Sequence, residues 1–228
     1  LTSRLKHPHI VTLFESGTVQ RRHYFAMEHV EGVPIDEYVV LNDLPPRAIV
    51  MLLVKVCRAV AYAHQNGVIH RDLGTSNILV DEQGEPHILD FGLAKDVTAS
   101  DAADAFTQTG QVLGTLPFLS PEQAGGFDRR VDTRSDVYAL GVVLYRLLAD
   151  AFPYPIVGDM LSVRAAIIEQ DPVPLRRVVH MAGARVRSPA EINGDLEAVV
   201  NRALAKEKSR RYQTADALAD DLERYLNG

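Results

Sequence analysis

A long apolar helix pattern, a short polar loop and two brief strands follow one another in this chain, and they constrain its fold more than any other feature. Nearly every residue from 46 to 65 is apolar, which predicts a helix buried on most of its sides. The octapeptide HRDLGTSN follows at 70–77. Apolar runs at 78–80 and 87–89 then flank the turn DEQGEP, which predicts a β-hairpin. The sequence therefore places a polar loop where a core helix meets a small sheet.

Further elements are predicted on both sides of this loop. The apolar runs at 10–14 and 23–30 predict an antiparallel hairpin. Residues 90–121 show no sustained period and are predicted to be a long loop. The stretch 172–193 is predicted to be irregular. Later helices are predicted at 135–148, 159–170 and 195–204, and after Thr214 as N-cap.

The composition excludes several classes of protein. A hydrophobic content of 46% and a charged content of 24% predict a globular domain. A net charge of -6 argues against nucleic acid as a partner, because phosphate backbones are bound by clustered basic residues. No apolar stretch approaches the roughly 18 residues that a bilayer span needs, and the single cysteine excludes a disulfide within the chain. We therefore expect a cytoplasmic segment, whose parent could be tethered to a membrane by segments outside these residues.

Three polar side chains around the small sheet point to phosphoryl transfer. Asp72 and Asn77 lie in the octapeptide, and Asp90 heads the tripeptide DFG directly after the second strand of the hairpin. The oxygen atoms of Asn77 and Asp90, on neighbouring strand ends, can share a hard cation such as Mg²⁺. Asp72 then remains free to accept a proton from an attacking hydroxyl.

Five motifs follow one another along the chain: HRDLxxxN at 70–77, DFGLAK at 90–95, GTLPFLSPEQ at 114–123, DVYALGVVLY at 136–145 and RYQTADAL at 211–218. Taken in this order, they resemble those of a eukaryotic-type protein serine/threonine kinase, of the kind that bacteria also carry. Each motif alone is a weak signal, whereas their joint order extends over most of the chain. The resemblance implies an α+β, protein-kinase-like fold, mainly the helical large lobe with a remnant of the small-lobe β-sheet.

The resemblance also implies a division of the chain. Residues 1–30 would be a remnant of the small lobe, with the end of helix C, strands 4 and 5 and the hinge. Residues 31–228 would be the large lobe, with the catalytic loop, the activation segment and the C-terminal helices. The family's glycine-rich loop, its phosphate-gripping lysine and the partner glutamate of that lysine would lie upstream of Leu1. We therefore expect an N-terminally truncated domain that is inactive as given.

Roles in this sequence follow from the same resemblance. Asp72 would be the catalytic base, and Asn77 and Asp90 the magnesium ligands. His70 would pack against Phe91 and so tie the catalytic loop to the DFG segment. ATP and Mg²⁺ are the implied cofactors, and proteins with serine or threonine acceptors are the implied substrates.

Other residues would support the reaction. Arg71 would form a positive pocket for a phosphate on the activation segment, where Thr107 and Thr109 are the preferred candidates for autophosphorylation. Thr115 would hydrogen-bond the catalytic aspartate. Met27 would be the gatekeeper of the adenine pocket. Glu28 and Val30 would be the two hinge positions, and Leu79 would form the floor of the pocket. The structural supports would be a Glu122–Arg211 ion pair and Asp136, which would accept backbone N–H groups of the catalytic loop.

Gly74 departs from the family pattern, and it leaves a second function open. A lysine at this position donates to the transferred phosphate, and loss of one such preorganised donor costs about 10² to 10³ in rate. Retention of Asp72, Asn77 and Asp90 favours a kinase, whereas Gly74 favours a pseudokinase that binds nucleotide or partners without transfer. A small-molecule phosphotransferase shares the spacing of Asp72 and Asn77 but has no need of the SPE anchor.

Overall fold

The computed structural model describes residues 5–20, 22–91, 115–126, 131–181 and 189–228. The strands are β1 (Leu13–Val19), β2 (Arg22–Met27), β3 (Gly32–Pro34), β4 (Ile78–Asp81) and β5 (Pro86–Ile88). The helices are α1 (Ile35–Leu41), α2 (Pro46–Gln65), α3 (Pro121–Ala124), α4 (Thr133–Ala149), α5 (Met160–Glu169), α6 (Leu175–Met181), α7 (Gly194–Ala203) and α8 (Ala215–Asn227). The mixture of helices with two small sheets confirms the α+β class and fits a protein-kinase-like fold.

The strands form two separate antiparallel sheets. β1 and β2 make the expected N-terminal hairpin, in which Leu13 pairs with Met27, but β1 also takes in most of the residues predicted to be its turn. β3, β4 and β5 form the second sheet in that order. A parallel bridge between Ile10 and Ile88 joins the segment before β1 to this second sheet. The two sheets are thus connected directly beside the loop that carries Asp90.

The turn between β4 and β5 is fixed by the side chain of Asp81. One carboxylate oxygen accepts the backbone N–H groups of Gln83 at 3.0 Å and Glu85 at 2.8 Å. Gly84 adopts a φ of 78°, a left-handed conformation that glycine adopts at little cost. This turn sets the antiparallel register in which Ile78 pairs with Ile88.

Helix α4 is the centre of the helical core. Every residue from 135 to 145 is buried, as expected of a helix that packs on all sides. Asp132 caps the start of the helix, where its side chain accepts the backbone N–H of Arg134, and Asp150 caps the end with a φ of 49°. Helices α2 and α7 pack against α4, and α8 packs against α2. None of the helices in the described segments combines the length and the apolar composition needed to cross a bilayer.

Five predicted helices are confirmed, whereas four short elements, α1, α3, α6 and β3, were not predicted. The prediction of an irregular stretch at 172–193 is wrong, because α6 forms within it and buries Leu175 and Val179 one helical turn apart. Helix α1 was missed for a similar reason: it is short, and it buries Ile35 and Val39 while its other face is polar or exposed. Strand β3 was missed because three residues are too few to show a period.

Candidate active site

Helix α4 supports the loop between α2 and β4 through hydrogen bonds at its first turn. The carboxylate of Asp136 is buried in the first turn of α4 and accepts the backbone N–H of His70 at 2.8 Å and of Arg71 at 2.9 Å. His64, near the end of α2, contacts the same carboxylate through Nε2 at 2.8 Å. Arg71 adopts a φ of 71°, a strained conformation for a non-glycine residue. The expected support by Asp136 is therefore present, and it acts on the backbone at the strained residue Arg71 and its neighbour His70.

His70 connects this loop to the segment that carries Asp90. Its side chain is fully buried, and Nε2 lies 2.8 Å from the carbonyl oxygen of Leu89. Its ring meets the ring of Phe91 edge-on, with 4.7 Å between centroids. The predicted packing of His70 on Phe91 is thus observed, and it fixes the backbone on both sides of Asp90.

Asp72, Asn77 and Asp90 lie close together, and hydrogen bonds to the backbone hold them there. The amide nitrogen of Asn77 donates to the carbonyl oxygen of Asp72 at 2.7 Å. The backbone of Leu89 then donates to the carbonyl oxygen of Asn77 at 2.9 Å, which brings Asp90 to the same place. Asp90 is exposed and has a φ of 57°, so it is held in a left-handed conformation like Arg71.

The pKa of the Asp72 carboxyl group is shifted by the neighbouring residues of this site. Its side chain keeps an exposed face but is otherwise closely surrounded by protein, and this burial raises the pKa of its carboxyl group. An electrostatic contribution from His70 opposes the rise, and the negative charge of Asp90 adds to it. A hydrogen bond from Asn77 also opposes it, and the net pKa of Asp72 remains above its ordinary value. A carboxylate with a raised pKa beside a second carboxylate is typical of a site for proton transfer.

The donor set fits a magnesium–nucleotide complex. Because the amide nitrogen of Asn77 donates to the loop backbone, its amide oxygen is available to a cation, and the exposed carboxylate of Asp90 supplies a second oxygen. Mg²⁺ prefers oxygen ligands and is usually bound by one or two carboxylates together with substrate phosphates. Among the described residues, no group of three or more histidine, cysteine or acidic side chains is arranged to hold a metal ion by itself.

The predicted nucleotide-side residues lie on strands β2 and β4 and on the link between β2 and β3. Met27, at the end of β2, lines a small cavity together with Asp90 and Phe91. The backbone N–H of Glu28 donates to the carbonyl oxygen of Thr12 at 2.9 Å, so that group is engaged within the protein. Val30 lies between β2 and β3, and Leu79 lies in β4 opposite Pro34 of β3. The structure thus places Met27 beside Asp90. Val30 lies in the link that leads to β3, the strand that pairs with β4 and so with Leu79.

The segment 115–126 closes the other side of the loop. Thr115 lines a small cavity with Asp72 and Arg71, and its specific hydrogen bond to Asp72 stays a prediction. Gln123 also lines this cavity, and its amide nitrogen donates to the carbonyl oxygen of Arg71 at 2.6 Å. Sequence reasoning missed Gln123, although Ser120 followed three residues later by glutamine is a capping-box signal for the start of a helix.

Comparison with known proteins agrees with this geometry. The model of the protein kinase domain matches residues 1–222 of the chain. This chain belongs to the protein kinase family. It is 37% identical over 231 residues to the serine/threonine-protein kinase PknB of Mycolicibacterium smegmatis, and the match covers 98% of this chain and 34% of that protein. The chain therefore spans about a third of the length of the curated relatives that it matches.

Two further relatives are similarly close to this kinase domain. PknB of Mycobacterium tuberculosis is 37% identical over 230 residues, covering 98% of this chain and 34% of the relative. A probable serine/threonine-protein kinase of Corynebacterium efficiens is 37% identical over 227 residues, covering 96% of this chain and 32% of the relative. These matches are of the serine/threonine type, as the motifs implied.

The kinase domain accommodates Gly74 through the ring of Phe118. Gly74 has an extended backbone, with φ −154° and ψ 174°, which any residue can adopt. A Cβ atom at this position would lie 3.1 Å from the ring of Phe118, so the ring would have to give by a few tenths of an ångström. Phe118 is itself held by an edge-on contact with Phe152, with 5.4 Å between centroids. A larger side chain at position 74 therefore needs a small adjustment of this aromatic pair.

The predicted structural ion pair between Glu122 and Arg211 is present. Arg211 donates to both carboxylate oxygens of Glu122 at 2.8 Å, and both side chains are buried. This pair ties α3 to the chain just before α8.

The predicted phosphate acceptors Thr107 and Thr109 lie outside the described residues, as do residues 92–95 of the DFGLAK motif.

Proposed function

We propose that this chain is the kinase domain of a protein serine/threonine kinase, which transfers the γ-phosphate of ATP to serine or threonine hydroxyls of proteins. The observation that carries this proposal is the approach of Asp72, Asn77 and Asp90 to one another. Phosphoryl transfer needs oriented groups and charge stabilisation more than covalent chemistry, and this set of side chains can provide both. The serine/threonine kinase names of the relatives support the same reaction.

The chemistry assigned to the chain is a proton transfer at Asp72. Its carboxylate accepts a hydrogen bond from the substrate hydroxyl, orients the oxygen toward the γ-phosphorus and takes the proton as the new P–O bond forms and the bond to ADP breaks. The raised pKa of Asp72 makes it a better base than a free aspartate. Asn77 and Asp90 would hold Mg²⁺, which when bound supplies positive charge to the phosphate oxygens.

We assign the nucleotide to the side of the site that Met27 lines. Glu28 and Val30 would offer backbone groups to the adenine, and Leu79 would form the floor beneath it. Because the N–H of Glu28 already donates to the backbone of Thr12, its carbonyl oxygen is the group that we assign to the nucleotide.

The domain organisation and the regulation are part of the same proposal. Residues 1–30 would belong to the small lobe and residues 31–228 to the large lobe, which agrees with the separation of the β1–β2 hairpin from the second sheet. The side chain of Arg71 would pair with a phosphate on Thr107 or Thr109 after autophosphorylation, because a guanidinium binds phosphate with two parallel hydrogen bonds.

The decisive experiment measures phosphate transfer by the complete protein to a generic basic protein with ATP and Mg²⁺. We expect transfer by the wild type, and a loss of about 10² to 10⁴-fold in Asp72→Asn, because the amide cannot take the proton. Gly74→Lys should raise the rate by up to about 10² to 10³-fold, because it adds a donor to the phosphate. Gly74→Ala is the matched control, since its Cβ makes the same contact with Phe118 without adding a charge.

Two results would contradict the proposal. An unchanged rate in Asp72→Asn would show that the carboxylate is not the base. A wild type that binds nucleotide but transfers nothing, together with a Gly74→Lys variant that does transfer, would show that the natural protein binds without catalysis.

A further inference from the structure

An open groove of about 650 Å³ lies between helix α1, the start of α2 and the end of α4. Its walls carry apolar side chains that the rest of the described chain does not cover: Val40 is 69% exposed and Leu41 is 72% exposed. Ile49 and Leu147 are buried and form its base. Neighbouring apolar side chains that line a groove are typical of an interaction surface.

The charges around this groove are mostly negative. Asp36 and Glu37 come from the first turn of α1, Asp43 lies just beyond its end, and Asp150 ends α4. Arg146 is the one basic residue among those that line the groove, and it pairs with Asp150 at 2.9 Å. Four carboxylates therefore face one guanidinium, so the groove should favour a positively charged occupant.

The walls of the groove contact the catalytic loop. Helix α1 packs against the turn Thr75–Asn77, which is part of that loop. On the other wall, the guanidinium of Arg146 lies 5.3 Å from the ring centre of Phe152. Phe152 meets Phe118, and Phe118 lies against Gly74 in the loop. Both walls of the groove are therefore linked to the catalytic loop by direct contacts, and a polypeptide bound in the groove would lie close to that loop.

We propose that this groove binds a segment of the substrate protein that carries both basic and apolar side chains, and that it selects substrates in this way. The proposal rests on the proposed kinase function for the identity of the occupant. Charge complementarity favours such a segment over a second copy of the chain, since the groove is acidic and the chain has a net charge of -6. The apolar side chains would supply affinity and the carboxylates would supply selectivity.

Binding of labelled peptides to the chain tests the groove without any need for phosphate transfer. The probe is a fluorescent twelve-residue peptide that alternates arginine and leucine, compared with peptides in which every arginine is glutamate or every leucine is serine. Fluorescence anisotropy at low ionic strength should show the arginine–leucine peptide binding at least about tenfold more tightly than either control, and added salt should weaken it.

Two pairs of variants locate the binding. Leu41→Ser should weaken binding about tenfold, because it removes an apolar contact, whereas Leu161→Ser on α5 should not; these two leucines are 72% and 71% exposed. Asp36→Asn/Glu37→Gln should weaken binding about three- to tenfold. The control Glu169→Gln/Asp195→Asn makes the same change in charge at exposed positions away from the groove.

Several outcomes would overturn the proposal. One is equal binding of the arginine and glutamate peptides, and another is an equal effect of the groove variants and the control variants. A third is self-association of the chain that Leu41→Ser abolishes, which would show that a second copy covers the groove. The groove and the kinase activity fail separately. If the peptide binds in a manner that depends on Leu41 but the protein transfers no phosphate, the groove proposal holds and the kinase proposal fails. If the protein transfers phosphate but the groove variants do not change peptide binding, the kinase proposal holds and the groove proposal fails.

Discussion

Arg211→Met removes a guanidinium that is only 1% exposed and is surrounded by acceptors. Besides its two bonds to Glu122, Arg211 donates to the carbonyl oxygens of Ala205 at 2.6 Å, Lys206 at 2.9 Å and Arg134 at 3.1 Å. Methionine has a similar length but donates no hydrogen bond. The substitution therefore leaves a buried carboxylate and three carbonyl groups without this donor.

The expected loss of stability follows from the carboxylate left behind. Glu122 is 8% exposed, and without Arg211 its carboxylate keeps a neutral hydroxyl donor, Ser135 at 2.6 Å, but no paired positive charge. Breaking a buried ion pair by removing one partner costs about 3–5 kcal/mol, out of a total domain stability of about 5–15 kcal/mol. The double variant Glu122→Gln/Arg211→Met removes the unpaired charge as well. It should therefore be more stable than Arg211→Met alone, with a coupling of about 1–3 kcal/mol.

The same pair predicts a pH dependence. Burial alone would raise the pKa of Glu122, but hydrogen bonds from Arg211 and Ser135 and the charge of Arg211 outweigh it and lower that pKa. A carboxyl group with a lowered pKa stabilises the folded state above its unfolded pKa of about 4.3, and this contribution is lost as pH falls. In Arg211→Met the charge of Glu122 is unfavourable, so the stability gap to the wild type should narrow between pH 7 and pH 4.

Urea unfolding at several pH values, extrapolated linearly to water, measures these free energies of unfolding. Arg210→Met is the matched control, because the neighbouring Arg210 is 75% exposed and pairs with Glu207 at 3.0 Å. That variant should cost less than about 1 kcal/mol. Equal losses for the two arginine variants, or a gap that stays constant with pH, would refute this account of the buried pair.

Two further predictions concern the helical core. Gly141→Ala should lower the free energy of unfolding by about 1–3 kcal/mol, measured by urea unfolding, because its Cβ would lie 2.8 Å from the Cβ of Ala203 on α7; a neutral result would contradict the close packing of α4 on α7. Burial raises the pKa of the Cys57 thiol far above its ordinary value. A thiol reagent at pH 8 should therefore leave Cys57 unmodified until urea unfolds the chain, and rapid modification of the folded protein would contradict its burial.

The long helices and the catalytic loop were predictable because their signals are local. The apolar pattern of residues 46–65 specifies α2, and Thr214 marks the start of α8 by accepting the N–H of Ala217. Short elements such as α1 and α6 were not predictable, because seven residues hold too few turns for a period to be distinguished from chance. Their helical state depends on burying two side chains each against the core.

The sequence alone determined the spacing of Asp72, Asn77 and Asp90 and the order of the motifs that indicates the family. What only the tertiary structure decided is how those side chains are held. Asp136 lies more than sixty residues along the chain from the loop that it supports, and the ring of Phe118 fills the space beside Gly74. Hydrogen bonds and ring contacts between such distant segments depend on how the core helices pack, and local sequence preferences carry no information about that arrangement.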